Sequence, residues 1–196
     1  MAKSRLLVVG AGGHGHSVAE AAGLSGFFEV VGFLDDLLPA GENVMGIPIL
    51  GTVTSMAQHR ARVDKVIVAI GNNVVREKLI LELIALDFDL ATVLHPRAIV
   101  SPSAMLGTGS VVMAGAIIGT EACLGVGTIV NCGAVVDHHA NVEDFAHLGV
   151  CTSMAGGTVL GRGAWMQAGS SLGCGVTVAA GEVLLPGTGK ENRHIL

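Results

Sequence analysis

Hydrophobic positions repeat every six residues from 100 to 184. The column 100, 106, 112 and onward reads Val, Leu, Val, Ile, Leu, Val, Val, Val, Leu, Met, Leu, Met, Leu, Val, Leu, fifteen points without an insertion. A second column lies four residues later, from Ala104 to Val176, and is Ala, Ser or Thr at every point except Val176. An amphipathic helix needs an apolar period near 3.6 and a lone strand a period of 2. A period of six fits neither, and a short fixed repeat marks a stacked architecture. The pattern predicts a β-solenoid of short strands and tight corners. One large residue per side points inward, with one small residue near each corner. A Gly-rich linker would not keep an aliphatic residue on every lattice point, and the stretch is too apolar to stay disordered. With three hexapeptides per coil, residue n stacks on residue n+18.

Residues 1–95 follow a different pattern. Residues 5–9 (RLLVV) predict a strand, followed by Gly10-Ala11-Gly12-Gly13-His14-Gly15 and a helix with Val18, Ala19, Ala22 and Leu24 on its apolar side. A second apolar run, 30–34, ends in Asp35-Asp36, and a third, 65–70 (KVIVAI), ends in Gly71-Asn72-Asn73. Residues 76–86 predict a second helix with Asn73 as N-cap. His95-Pro96 closes the unit, since the residue before a proline is pushed to extended geometry. The expected organisation is a small α/β Rossmann-like domain over 1–95, then the solenoid over 96–196.

Composition narrows this further. Hydrophobic residues make up 51% of the chain but aromatics only 3%, so the core is built from small aliphatics, as a narrow solenoid requires. A net charge of −5 gives no basic footprint for nucleic acid. No run of 18 apolar residues and no signal-peptide pattern is present, so a soluble cytoplasmic protein without a transmembrane segment is expected. Cys123, Cys132, Cys151 and Cys174 form no C-x-x-C pair and no 18-residue stack, and are expected to be buried free thiols.

Two constellations carry chemistry. Gly10, Gly12 and Gly15 match G-x-G-x-x-G between a strand and a helix, where backbone N–H groups face an anion. Asp35 lies twenty residues past Gly15, the place of a ribose-binding acid. The unit is too short for the two halves of a dinucleotide fold, so a single nucleotide diphosphate fits better than NAD. In the solenoid, 100–185 holds six charged residues: Glu121, Asp137, Glu143, Asp144, Arg162 and Glu182. Three of the acids and all three histidines (His138, His139, His147) fall within 137–147. Packing needs none of them. General acid–base catalysis and metal ligation both suit them. The 18-residue stack places Gly156 over His138, within a small-residue patch Ala155-Gly156-Gly157 expected to offer accessible N–H groups. A base beside a backbone donor suits acyl transfer. His147 lies half a coil from His138, so a single ligand would need a neighbouring subunit.

The hexapeptide array with His138 and His147, preceded by G-A-G-G-H-G, L-D-D and I-G-N-N, resembles the sugar O/N-acyltransferases of the sialic-acid and bacillosamine pathways. It is most similar to N-acetyltransferases of nucleotide-linked 4-amino sugars. The resemblance runs from about 6 to 184 and implies a left-handed β-helix, acetyl-CoA as co-substrate, and a homotrimer with interfacial active sites. It implies a role in glycan biosynthesis. It also implies that catalytic His138 takes a proton from the sugar amine, which attacks the thioester directly. His147, Ala155 and Gly156 would meet the coenzyme. Gly12, Gly13, His14, Asp35, Asp36, Gly71 and Asn72 would hold the nucleotide sugar. No metal is assigned. Where the family has Asp or Glu after its catalytic histidine, this chain has His139, which is expected as a second catalytic residue that supports His138 only weakly; a carboxylate then comes from elsewhere, such as Asp137 or Glu143, or the base is weaker. The family's G-x-P-A-K tail has no counterpart in 186–196, so no adenine-end contact is carried over. O-acetylation of a sugar, a zinc-dependent hydratase on a β-helix and a non-enzymatic nucleotide sensor are the alternatives. Against the hydratase, adjacent strand residues point to opposite faces, so His138 and His139 are not expected to share a metal.

Overall fold

A computed structural model describes residues 2–191. It divides into two compact units, 1–96 and 97–196. In the first, strands β1 (Ser4–Val9), β2 (Phe28–Leu34), β3 (Asn43–Val44), β4 (Ile47–Gly51) and β5 (Lys65–Val68) form one sheet in the order β3-β4-β2-β1-β5. All pairings are parallel except the β3–β4 hairpin. Helices α1 (Gly13–Ser25) and α2 (Asn73–Ala85) follow β1 and β5. Leu6, Leu7, Val8 and Val9 are fully buried, as a central parallel strand covered on both faces requires.

Two expectations here need correction. Leu24 is 58% exposed, and Ala21 takes the inward place, because helices on a narrow sheet approach closely through alanines. Asn72, not Asn73, caps α2: its Oδ1 accepts the Val75 N–H at 3.0 Å. Asn73 instead turns its Oδ1 to the Arg76 guanidinium at 2.8 Å, which starts the helix three residues earlier than its apolar pattern. The β3–β4 hairpin and a 3-10 turn over Val53–His59 had no periodic signal.

The second unit is the expected left-handed β-helix. Two-residue strands stack in three parallel sheets, each pairing residue n with n+18, as in Ile117↔Val135, Asn141↔Val159 and His147↔Trp165. The large column points inward. It is buried from Val112 to Leu184, and only Val100 and Leu106 of the first coil are half-buried. The small column is buried from Ser110 to Val176. Its hydroxyls are tolerated because they bond to corner carbonyls: Thr152 to Gly149 O at 3.0 Å, Thr158 to Ala155 O at 2.7 Å, Ser170 to Gln167 O at 2.7 Å.

From residue 109 onward each corner turns through a left-handed residue three places after the large column. Ten of these positions, from Gly109 to Gly187, are glycine, which takes φ near +65° at little cost. Glu121, His139, Phe145 and Cys151 occupy the same place with φ of 55–59°. The cysteines correct another expectation. Cys123 and Cys132 are half-buried and Cys151 and Cys174 exposed, because none falls in an inward column.

Candidate active site

In the first unit the glycine loop is held by its own acid. One Asp35 oxygen accepts the Ala11 N–H at 2.7 Å and the other the Leu37 N–H at 2.8 Å. Asp36 accepts the Val53 N–H at 2.8 Å. Gly15 lets the helix start beneath the loop, since a Cβ there would lie 2.0 Å from the Gly10 carbonyl oxygen. The loop, both aspartates and the end of β5 enclose a cavity of about 380 Å³. Gly12, Gly13, His14, Asp35, Asp36 and Gly71 line it, and Asn72 does not. Burial, with the Arg76 charge adding to it, pushes His14 down to about 4, so the ring is neutral near pH 7. Its buried Nε2 has no hydrogen-bond partner among the described residues. Arg76 is fully buried and donates to the Ile70 and Gly71 carbonyls at 3.1 and 3.2 Å, which fixes the cavity floor.

In the β-helix, His138 and His139 sit in one corner, between the strands Val135–Val136 and Asn141–Val142. They do not belong to a strand, so strand alternation does not govern where they point. Their rings meet edge to face with centroids 5.2 Å apart and the two Nδ1 atoms 3.0 Å apart. His139 Nε2 reaches Glu121 Oε2 at 3.0 Å. Neither Asp137 nor Glu143 makes a hydrogen bond to either ring among the described residues. Asp137 Oδ1 accepts the His138 N–H at 2.7 Å, and its other oxygen is 3.8 Å from His138 Nε2, too long for a hydrogen bond. Glu143 accepts the Arg162 N–H at 2.8 Å, and Asp144 pairs with the Arg162 guanidinium at 2.8 Å, which covers the Phe145 ring. Those two acids serve a neighbouring corner. Glu121 had a signal in the sequence: it lies eighteen residues before His139, in a corner column that is glycine at ten positions.

The stack of His138 on Gly156 is realised. A Cβ on Gly156 would lie 2.4 Å from His138 Cε1 and 2.6 Å from Nε2, so only glycine admits the ring there. The expected row of accessible amides is not. Ala155 N–H donates to Leu172 O and Gly157 N–H to His138 O, both at 3.0 Å. Gly156 is buried under the ring, and its amide alone of the three lies outside the backbone ladder among the described residues. His147 belongs to a different sheet from the strands flanking His138, and stacks on Trp165 at 5.4 Å with the rings 16° apart. Among the described residues no three His, Cys, Asp or Glu side chains converge as a metal site. The tail beyond residue 191 lies outside the described residues.

Residues 5–83 match the PglD N-terminal domain family. The acetyltransferase domain of PglB from Neisseria gonorrhoeae, solved with acetyl coenzyme A, is 36% identical, with a TM-score of 0.78 and 97% of each chain covered. A mutant of perosamine N-acetyltransferase from Caulobacter crescentus, solved with CoA and GDP-perosamine, is 33% identical with a TM-score of 0.85, covering 96% of this chain and 91% of that one. The chain belongs to the hexapeptide-repeat sugar N-acetyltransferase family. UDP-N-acetylbacillosamine N-acetyltransferase from Bacillus subtilis is 34% identical over 109 residues, 55% of this chain, and the matched stretch spans about half the length of that curated relative. The PglB and perosamine relatives were solved with CoA or acetyl coenzyme A, and this sugar N-acetyltransferase family member carries its histidine pair at a corner of the β-helix. No helix of the described residues is long and apolar enough to cross a membrane.

Proposed function

We propose that this protein is an acetyl-CoA-dependent N-acetyltransferase acting on the amino group of a nucleotide-linked 4-amino sugar, with His138 as general base. The observation that carries this reading is the His138 ring seated on Gly156 and oriented through its Nδ1 by His139. That leaves Nε2 to take a proton. The co-substrate supplies an acetyl thioester. His138 Nε2 removes a proton as the sugar nitrogen attacks the carbonyl carbon. The Gly156 N–H is the donor assigned to the developing oxyanion. As the carbon–sulfur bond breaks, the imidazolium returns its proton to the departing thiolate, leaving an amide and free CoA. No acyl-enzyme is needed.

The glycine loop and the α1 N-terminus suit a diphosphate, with the neutral His14 adding no charge to the pocket wall. Asp35 serves this pocket by shaping the loop, since both its oxygens accept backbone N–H groups. Asn72 serves it as the cap of α2. His147 and Trp165 form a flat stacked face for the coenzyme. Because His138 and His147 stand on different parts of the coil, the active unit is a homotrimer whose sites lie between subunits. Exposed Ile99, Met105 and Ile117 favour such packing. A cytoplasmic location accords with this reading. The test is a panel of nucleotide-linked amino sugars with acetyl-CoA, read by thiol release and by a product heavier by one acetyl group. Release of thiol with no acetylated sugar, or no turnover on any member, overturns the reading.

A further inference from the structure

We propose that Glu121 is a positioning residue for His138, acting through His139, and that this relay replaces the carboxylate adjacent to the base. The inference rests on the acetyltransferase reading above. The atoms run Glu121 Oε2, 3.0 Å to His139 Nε2, then His139 Nδ1, 3.0 Å to His138 Nδ1. A carboxylate only accepts. A neutral His139 therefore places its one proton on Nε2, facing Glu121, and offers a lone pair at Nδ1. His138 must then carry its proton on Nδ1 to donate it. Its Nε2 is left unprotonated, the form a general base requires. When Nε2 takes the amine proton, the positive charge of the imidazolium is shared toward Glu121 through two hydrogen bonds. It is discharged when the proton passes to the thiolate.

The backbone supplies an independent observation. Glu121 and His139 stand eighteen residues apart on adjacent coils, each in the left-handed corner position, with φ of 56° and 58°. Glycine fills that position at ten corners, and 157, the next in this stack, is again glycine. Side chains other than glycine pay in backbone strain there. At these two corners the strained positions carry the two side chains that meet at 3.0 Å. Packing does not require it, since both side chains are about 60% exposed.

The first test is independent of turnover. Imidazole nitrogen NMR on histidine-labelled full-length protein, with His138 and His139 assigned by substitution, reads the tautomers directly. The relay requires Nδ1–H on His138 and Nε2–H on His139, and conversion of His138 toward Nε2–H in Glu121→Gln. A His138 proton on Nε2 in the wild type refutes the relay, whether it arises from a doubly protonated His139 or from a lost contact. If the tautomers are as stated but no sugar of the panel is acetylated, the acetyltransferase reading fails while the relay stands. In turnover, Glu121→Gln lowers kcat by about 10-fold or more with both KM values unchanged. His139→Glu brings a carboxylate directly to His138 Nδ1, so adding Glu121→Gln to it costs nothing further. Equal loss from Glu121→Gln in both backgrounds overturns the proposal. Glu121→Gly relieves the corner and raises Tm while lowering kcat. A merely structural role predicts no loss of kcat in the more stable variant.

Discussion

Replacing Gly156 with alanine tests the geometry at its tightest point. The new methyl would stand 2.4 Å from His138 Cε1, 2.6 Å from Nε2 and 3.1 Å from Nδ1. Carbon–carbon contacts settle at about 3.5 Å, so the ring must withdraw by about 1 Å. It can do so cheaply, because the His138 side chain is 58% exposed and swings toward solvent. The backbone at 156 is outside the left-handed region, so stability should fall by less than about 1 kcal/mol. Chemistry is less tolerant. A 1 Å withdrawal breaks the 3.0 Å contact with His139, and a misplacement of about 1 Å costs about 10²-fold in rate. Gly156→Ala should therefore lower kcat by about that factor, measured by thiol release, with an unchanged circular dichroism spectrum. Gly157→Ala gives the contrast. No atom lies within 4 Å of its Cβ, but its φ is +67°. It should lose about 1 kcal/mol of stability and keep its turnover. Wild-type kcat in a folded Gly156→Ala enzyme would refute the placement of the base.

Two further outcomes concern the first unit. Gly15→Ala drives a methyl to within 2.0 Å of the Gly10 carbonyl oxygen, a backbone atom that cannot rotate away. It should cost about 2–3 kcal/mol, seen as a lower urea midpoint, and an unchanged midpoint would contradict the loop geometry. His14 gives a pH signature. Its folded value is pushed down from 6.5 to about 4, by burial first and the Arg76 charge second. As pH falls below 6.5 the unfolded chain binds this proton and the folded chain does not. The contribution is thus intact above 6.5 and lost progressively toward 4, by up to about 3 kcal/mol. His14→Asn should flatten that part of the stability–pH curve, and an unaltered slope would show that His14 is not the group responsible.

The β-helix was legible because its lattice is redundant. Fifteen aliphatic or Met points define three faces, and one ambiguous residue cannot shift the register. The same regularity exposed His138 and its contact with Gly156. What the lattice did not show was the direction of corner side chains. Residues two and three places past the large column leave the strand, so the alternation rule ceases to hold, and His138 and His139 face each other. The carboxylate partner was missed for the same reason. Proximity in sequence favoured Asp137 and Glu143, whereas Asp137 closes its own turn and Glu143 caps the Arg162 amide. In the first unit, helix starts depend on single hydrogen bonds, such as Asn72 to Val75, that carry no periodic signal. Leu24 fits a helical stripe yet faces solvent, since apolar spacing alone does not say how close the sheet lies.

The central claim is that His138 is the base for acetyl transfer to a nucleotide-linked amino sugar. Its most direct test compares wild type and His138→Ala on the responsive member of the sugar panel at saturating acetyl-CoA. A loss of about 10²-fold or more in kcat, with the nucleotide sugar still bound at wild-type affinity, is the predicted result. Near-wild-type acetylation by a folded His138→Ala protein would contradict it.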